Sequence, residues 1–510
     1  MNASTPNPLA VPFLGVLASL QLIDPTVANT ALVKAAEALQ MHGSTMALAA
    51  SISTLAQAAT VLLMGFLGDR LGRREVLMAS LLLSIAGDAI ALSAPSAELF
   101  LLGRALVGIG VGAVLALTFA SVRFVSRPEQ LGQALGVWNL LIIAGFIGGS
   151  LLGGVLADSS WRLALGLVPV IALLCLPLVP VLLPEMPANR ELRADWPGLI
   201  TIAGAMVLVL TGVSHAVSGF TSPEFLIPTL AGVLLFGVHV WIERSRQAPI
   251  FPVSLYARGC FAAAIVSGIA WNFAQAVVQL QTSNFWQVVQ RYSTSQVAFA
   301  QLPLLICFAI GGVVAGRLMS PGRRTTQLMA GGVIALVLGL FLLAGLRADS
   351  AYAALVVPLL LVGTGLAFIS VPQSALFVQE APPRYFGSVT AFRTTTGQLG
   401  FALGFAASGA MVNGFGFASL RDRLLKLGAS PAEIPALEDK VRALLSSGAL
   451  AHGNATTSKA LEVIGQSYAS GLAGTMIVVG LLVALLGAIS LLLLVIGHQQ
   501  GNPRLGDAQP

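Results

Sequence analysis

Apolar residues follow one another along this chain in long blocks, near residues 9–32, 45–67, 75–95, 98–122, 132–157, 162–183, 197–216, 224–242, 258–285, 295–318, 326–346, 351–378, 386–413 and 471–497. Each block approaches or exceeds the roughly 20 residues that a helix needs to cross the hydrocarbon of a bilayer. The pattern therefore predicts fourteen membrane-spanning helices, with both termini on one side. One long polar interruption, residues 414–469, separates the last two blocks. It contains LRDRLLKL and ALEDKVRALL, whose apolar residues recur three and four apart, and these predict short amphipathic helices outside the membrane.

Composition supports this pattern. The chain is 56% hydrophobic and 9% charged, whereas soluble domains carry roughly 25% charged residues. The net charge of +6 comes from 27 Lys and Arg against 21 Asp and Glu. The arginines sit in every second loop: Arg70, Arg73 and Arg74; Arg123 and Arg127; Arg190 and Arg193; Arg244 and Arg246; Arg323 and Arg324; Arg384. The alternate short loops hold only scattered cations such as Lys34, Arg162, Arg291 and Arg347. This asymmetry is a topology signal and not a nucleic-acid footprint, and it predicts cytoplasmic termini in a multi-pass protein of the inner membrane.

Several classes of chemistry find no support in the residues. Cys175, Cys260 and Cys307 lie in or at the start of apolar blocks without metal-ligand spacing, which argues against a disulfide framework. His42, His215, His239, His452 and His498 share no spacing, and no nucleotide loop, Ser/His/Asp set or metal cluster is present, so no enzyme, metal or organic cofactor is expected. MNASTPNPLA lacks a basic signal-peptide start, so the first block reads as a retained span. The triplet from Asn454 to Thr456 fits a glycosylation acceptor, a pattern short enough to arise by chance.

Between the second and third blocks lies GFLGDRLGRR, Gly65 to Arg74. Glycines at 65, 68 and 72 permit a tight turn and close helix approach, and Asp69 is placed to face a helix N-terminus or an arginine. The arrangement G-x-x-x-D-R-x-G-R-R resembles the cytoplasmic signature of the major facilitator superfamily. Gly312 to Arg324, GVVAGRLMSPGRR, is a degenerate second copy without the acidic residue, as a parallel duplication would leave. The implied fold is all-α: a six-helix bundle over 1–185, two additional helices and linkers over 186–255, a second six-helix bundle over 256–497 carrying the external insertion 414–469, and a cytoplasmic tail over 498–510. Two extra central helices resemble the fourteen-helix drug:proton antiporter branch, the EmrB/QacA type.

Three further motifs are similar to that branch. LIDPTVANTAL in the first span matches at Asp24, Thr26, Asn29 and Ala31. An intramembrane aspartate costs about 2.5–3.5 kcal/mol on insertion scales, so it should face a wet cavity or a partner. Asp24 can therefore exchange a proton, or serve as a structural carboxylate bonded to backbone or Thr26. LGRALVGIGVG in the fourth span sets Arg104 before Gly108, Gly110 and Gly112, with Val107 where the branch carries Gln; the resemblance assigns Arg104 to proton exchange, and a snorkelling cation is the plainer reading. GFIGGSLLGG in the fifth span resembles the antiporter motif through Gly145, Gly149, Gly153 and Gly154, with Ser150 replacing its proline; a generic small-residue packing face explains the glycines equally well. YSTSQVAFAQLPL and TTTGQLGFALG extend the resemblance to the tenth and thirteenth spans.

The resemblance implies a proton-driven exporter of lipophilic or cationic small molecules, driven by the proton gradient without a cofactor. Asp24 and Arg104 would couple protons. Gly65, Asp69, Arg70, Gly72, Arg73 and Arg74 would form the cytoplasmic gate, with Asp69 and Arg73 latching it. Asn29, Asp88, Trp271, Gln275 and Gln279 are the cavity candidates, Asp88 as a receptor for cationic cargo or as an interfacial residue. Trp271, Gln275 and Gln279 share one face, which suits either a cavity or interhelical hydrogen bonds. Arg393, a few residues inside its span, is expected to snorkel to the cytoplasmic surface. The expected partners are membrane lipid, protons, a small-molecule substrate and, by resemblance to part of the branch, a periplasmic adaptor; no nucleic acid is expected. A facilitator or uptake carrier on the same fold, and a receptor or scaffold binding through the insertion, are the other readings.

Overall fold

A computed structural model describes residues 7–41, 43–192, 195–215, 221–245, 253–319, 323–381, 386–428, 430–446 and 458–499. The described residues are helical and contain no strand. In hydrocarbon a backbone amide finds no water, so an apolar segment must satisfy its hydrogen bonds within itself, and the helix does this. The spans are α1 (Ala10–Ala38), α2 (Gly43–Leu71), α3 (Arg73–Ser93), α4 (Ala97–Val125), α5 (Leu131–Ser159), α6 (Trp161–Leu182), α7 (Trp196–Ser214), α8 (Pro223–Ser245), α9 (Gly259–Asn284), α10 (Leu302–Leu318), α11 (Arg323–Ala344), α12 (Tyr352–Glu380) and α13 (Phe386–Lys426). A short external helix, α14 (Ile434–Ser446), precedes the last span, α15 (Ser458–Gln499).

Two spans are interrupted where proline removes a backbone donor. The sixth breaks into short segments around Pro169, Pro177 and Pro180. The tenth block divides at Gln301 into a helix over Thr294–Ala300 and α10, which begins with Pro303 in its first turn. By contrast, Pro25 lies inside α1 without ending it.

The insertion departs from expectation. LRDRLLKL is not a separate helix but the end of α13, a single helix of 41 residues, and α15 starts at Ser458 and runs 42 residues. At 1.5 Å per residue each is about 60 Å long, about twice the hydrocarbon thickness, so both project well beyond the bilayer. ALEDKVRALL falls in α14, which is tied to the α13 extension by the exposed pair Arg421 and Glu438 at 3.2 Å. The triplet at Asn454 lies outside the described residues, as do Arg193, Arg246 and Arg384.

The first six spans pack mainly on one another, the last six likewise, and α7 pairs with α8 beside them. Between the two bundles, α5 packs on α10 and α2 on α13. Those two seams frame the centre of the protein.

Candidate functional site

The seam is tightest at the end of the bundle that carries the arginines. Only Gly72 separates α2 from α3, at φ +105, a left-handed conformation that a side chain would strain. This turn aims Asp69 across to the other bundle. Its carboxylate accepts the backbone N–H of Gly387 at 2.5 Å, in the first turn of α13, and also accepts from Arg73. The anion thus sits where the helix dipole and unsatisfied N–H groups favour it. The Arg73 guanidinium stacks 4.5 Å from the centre of the Phe124 ring and 5.4 Å from that of Phe386, and Arg123 lies 4.8 Å from Phe386 while donating to the Val378 carbonyl. Gly65 lies directly against Gly387: a Cβ on Gly65 would come within 2.7 Å of the Gly387 carbonyl oxygen. Arg70 and Arg74 are half-buried beside this contact.

Deeper in the first bundle, three charges meet. Asp24 of α1 pairs bidentately with Arg104 of α4, Oδ1 to Nη1 at 2.6 Å and Oδ2 to Nη2 at 2.8 Å, and Ser53 of α2 donates to Oδ2 at 3.1 Å. Both partners are 1% exposed. Thr26 donates to the Leu22 carbonyl and not to Asp24. Arg104 does not snorkel; it is held inward by this fork. Asp88 of α3, expected in the cavity, is found here: its Oδ1 is 3.8 Å from Arg104 Nη1, and neither of its oxygens has a hydrogen-bond partner. Five residues from the end of α3, it turns toward Arg104 instead of the cavity.

Gly145, Gly149 and Gly153 of α5 meet Ser19, Ile23 and Val27 of α1, a ladder of matching four-residue steps that brings the two helices into close contact. Gly154 faces open space, so it lies off this ladder. Ser150 Oγ is buried without a hydrogen-bond partner.

Between the bundles lies a cavity of about 610 Å³. Gln21, Leu22, Pro25 and Thr26 of α1 line it, placing Asp24 just behind its wall. Trp271, Gln275 and Gln279 line it from α9, while the Asn29 side chain lies outside the described residues. Reading the sequence missed Gln57, Asn139, Gln373 and Gln398, all of which line it. Each is an amide within an apolar span, and the cost of placing it there was the available signal. Gln57 accepts from Gln21 at 3.1 Å and from Gln398 across the seam. Since Ser53 lies one turn from Gln57 on α2, the charge cluster and the cavity share a helix.

Arg393 corrects another expectation. It does not extend to the surface but turns inward to the cavity, donating from Nε to Ser374 Oγ at 2.7 Å and lying 4.7 Å and 5.4 Å from the Phe119 and Trp138 ring centres. Packing of α13 against α4 and α12 decides that direction. Among the described residues, Arg393 is the only charged one in the cavity wall, and no carboxylate lines it.

Two bundles of spans enclosing a cavity lined by aromatic rings and amides, with polar and glycine contacts sealing one end, are the architecture of a polytopic membrane transporter. The chain belongs to the Major Facilitator Superfamily, whose family model matches residues 14–405. It is 28% identical over 423 residues to the puromycin resistance protein pur8 of Streptomyces alboniger, covering 81% of this chain and 82% of that one. It is 25% identical over 426 residues to the methylenomycin A resistance protein of Bacillus subtilis, covering 81% and 90%. Among solved structures it superposes on the human organic anion transporter MFSD10 (TETRAN) with a TM-score of 0.60 at 17% identity, covering 93% and 98%. The proton:xylose symporter XylE superposes with a TM-score of 0.57 at 14% identity, covering 94% of each chain. These superpositions establish the fold.

Proposed function

We propose that this protein is a proton-coupled exporter of lipophilic small molecules, of the fourteen-helix drug:proton antiporter type, in the cytoplasmic membrane with both termini inside. The observation that carries the reading is the buried cluster of Asp24, Arg104 and Asp88 behind the cavity wall. Two carboxylates around one guanidinium leave one negative charge in a site that water barely reaches, and uncompensated charge is costly there. A proton binding to the carboxylate without hydrogen bonds, Asp88, removes that charge. The proton enters from outside and leaves inside as the bundles rock about the cavity.

The positive-inside asymmetry makes the arginine-bearing end cytoplasmic, so the latch of Asp69 on Gly387 belongs to the outward-facing arrangement. Resistance to puromycin and to methylenomycin A in the names of relatives supports export of antibiotics. Of the two cargo classes expected, the lipophilic one suits a wall rich in Trp and Phe. A periplasmic adaptor partner rests on the branch resemblance alone.

The test uses proteoliposomes holding a pH-sensitive dye and an imposed pH gradient. Adding methylenomycin A should dissipate the gradient with the wild type and not with Asp24→Asn or Asp88→Asn. Cargo movement that never consumes the gradient, or that consumes it equally in both variants, would remove proton coupling from the reading.

A further inference from the structure

A charge in a low-dielectric wall is costly without a counter-charge, and the described residues of the cavity wall supply none for Arg393. None of the ion pairs among the described residues includes it. The stacking on Phe119 and Trp138 attracts the cation but cannot neutralise it. Around the same cavity, three N–H groups have no acceptor, Trp138 Nε1, Asn139 Nδ2 and Trp271 Nε1, on residues 2%, 8% and 7% exposed, and Gln373 Oε1, Gln398 Oε1 and Thr394 Oγ1 in the same wall also lack a partner. Trp138 is the ring stacked against Arg393, and Asn139 follows it on α5.

We infer that the cavity binds cargo through an anionic group, with Arg393 as the charge partner and the flanking N–H donors as its hydrogen-bonding shell. This deepens the exporter reading and rests on it: the cargo class becomes lipophilic acids, such as aromatic carboxylates, and not lipophilic cations. The geometry fits such a molecule at both ends. Phe146, Phe308, Phe401 and Phe405 line the same space and accept the apolar body, while the guanidinium and the indole and amide N–H groups accept the charged head. A cation placed there would meet Arg393 with no carboxylate to offset the repulsion.

The experiment uses the full-length protein in phosphatidylcholine nanodiscs, with empty nanodiscs subtracted, and three probes sharing one aromatic body: 1-pyrenebutyrate, 1-pyrenebutanol and the pyrenebutyl trimethylammonium cation. A charge-assisted hydrogen bond corresponds to about tenfold or more in affinity. Wild type should therefore bind the carboxylate about tenfold tighter than the alcohol, and the cation most weakly. Arg393→Gln should erase the preference of the carboxylate over the alcohol, with an unaltered size-exclusion profile and melting temperature showing that the variant folds; Arg393→Lys should retain part of the preference. Equal binding of carboxylate and alcohol by the wild type, tighter binding of the cation, or an undiminished carboxylate preference in Arg393→Gln would overturn the inference while leaving the exporter reading intact. Failure of the wild type to bind all three probes would instead overturn both.

Discussion

Removing the charge of Asp24 should destabilise the protein, removing that of Asp88 should not, and removing both should cost more than the sum. In Asp24→Asn, Arg104 loses a two-pronged ion pair at 2.6 and 2.8 Å inside a wall where both partners are 1% exposed. Breaking a buried pair by removing one partner costs about 3–5 kcal/mol, because the remaining charge stays buried. Here the loss is softened, since the second carboxylate lies only 3.8 Å from the same guanidinium. At that separation the attraction is worth about 4 kcal/mol at an effective dielectric of 20, part of which desolvation already offsets. A cost of about 2–3 kcal/mol is the expected balance for the single variant. Asp88→Asn removes the carboxylate that has no hydrogen bond and relieves a like-charge contact, so its effect should lie within about 1 kcal/mol of zero. The double variant strands Arg104 without any anion, and the full buried-charge penalty returns. Thermal unfolding of the four purified proteins in one detergent at one scan rate gives the cycle, the fixed rate being needed because such unfolding is often irreversible. Equal losses for the two single variants, or a double variant equal to their sum, would refute a shared counter-ion for Arg104.

Asp69→Asn should weaken the seal between the bundles, since a charged group at a helix N-terminus contributes about 0.3–2 kcal/mol; maleimide labelling of Thr390→Cys, in a background lacking the native cysteines, should speed up, and unchanged labelling would count against the latch. Gly149→Val should destabilise by about 1–3 kcal/mol through overpacking, because a Cβ there would lie 2.7 Å from Ile23. Gly154→Ala, which faces open space, should be nearly neutral, and equal thermal shifts for these two glycine variants would contradict the α1 and α5 ladder. Arg421→Ala should change stability by less than about 1 kcal/mol, as exposed pairs generally do, with a larger thermal shift indicating that the external helices anchor the fold.

The spans could be read before folding because hydrophobic length is a one-dimensional quantity. Among the described residues, thirteen of the fourteen apolar blocks became helices long and apolar enough to cross a bilayer, and the tenth became a shorter apolar helix of 17 residues, with proline interruptions in the sixth and tenth. In the insertion ALEDKVRALL does form a short helix, whereas LRDRLLKL continues α13, because polarity marks where the membrane ends, not where a helix ends. Backbone hydrogen bonds carry α13 on to Lys426. The candidate site was legible in part: Asp24 and Arg104 stood out by their expense in an apolar setting, and Asp69 by its place in GFLGDRLGRR. The intramembrane amides Gln57, Gln373 and Gln398 carried the same signal more faintly, because an uncharged amide costs less to bury.

By itself the sequence determined which segments form long apolar helices and where the tight turn at Gly72 falls. Each of these depends on a residue and its chain neighbours alone. Only the tertiary structure decided that Asp88 joins Arg104 and that Arg393 turns into the cavity. A helix offers every direction around its axis, and the face that meets a partner is chosen by the packing of neighbouring helices, which spacing along one chain does not encode.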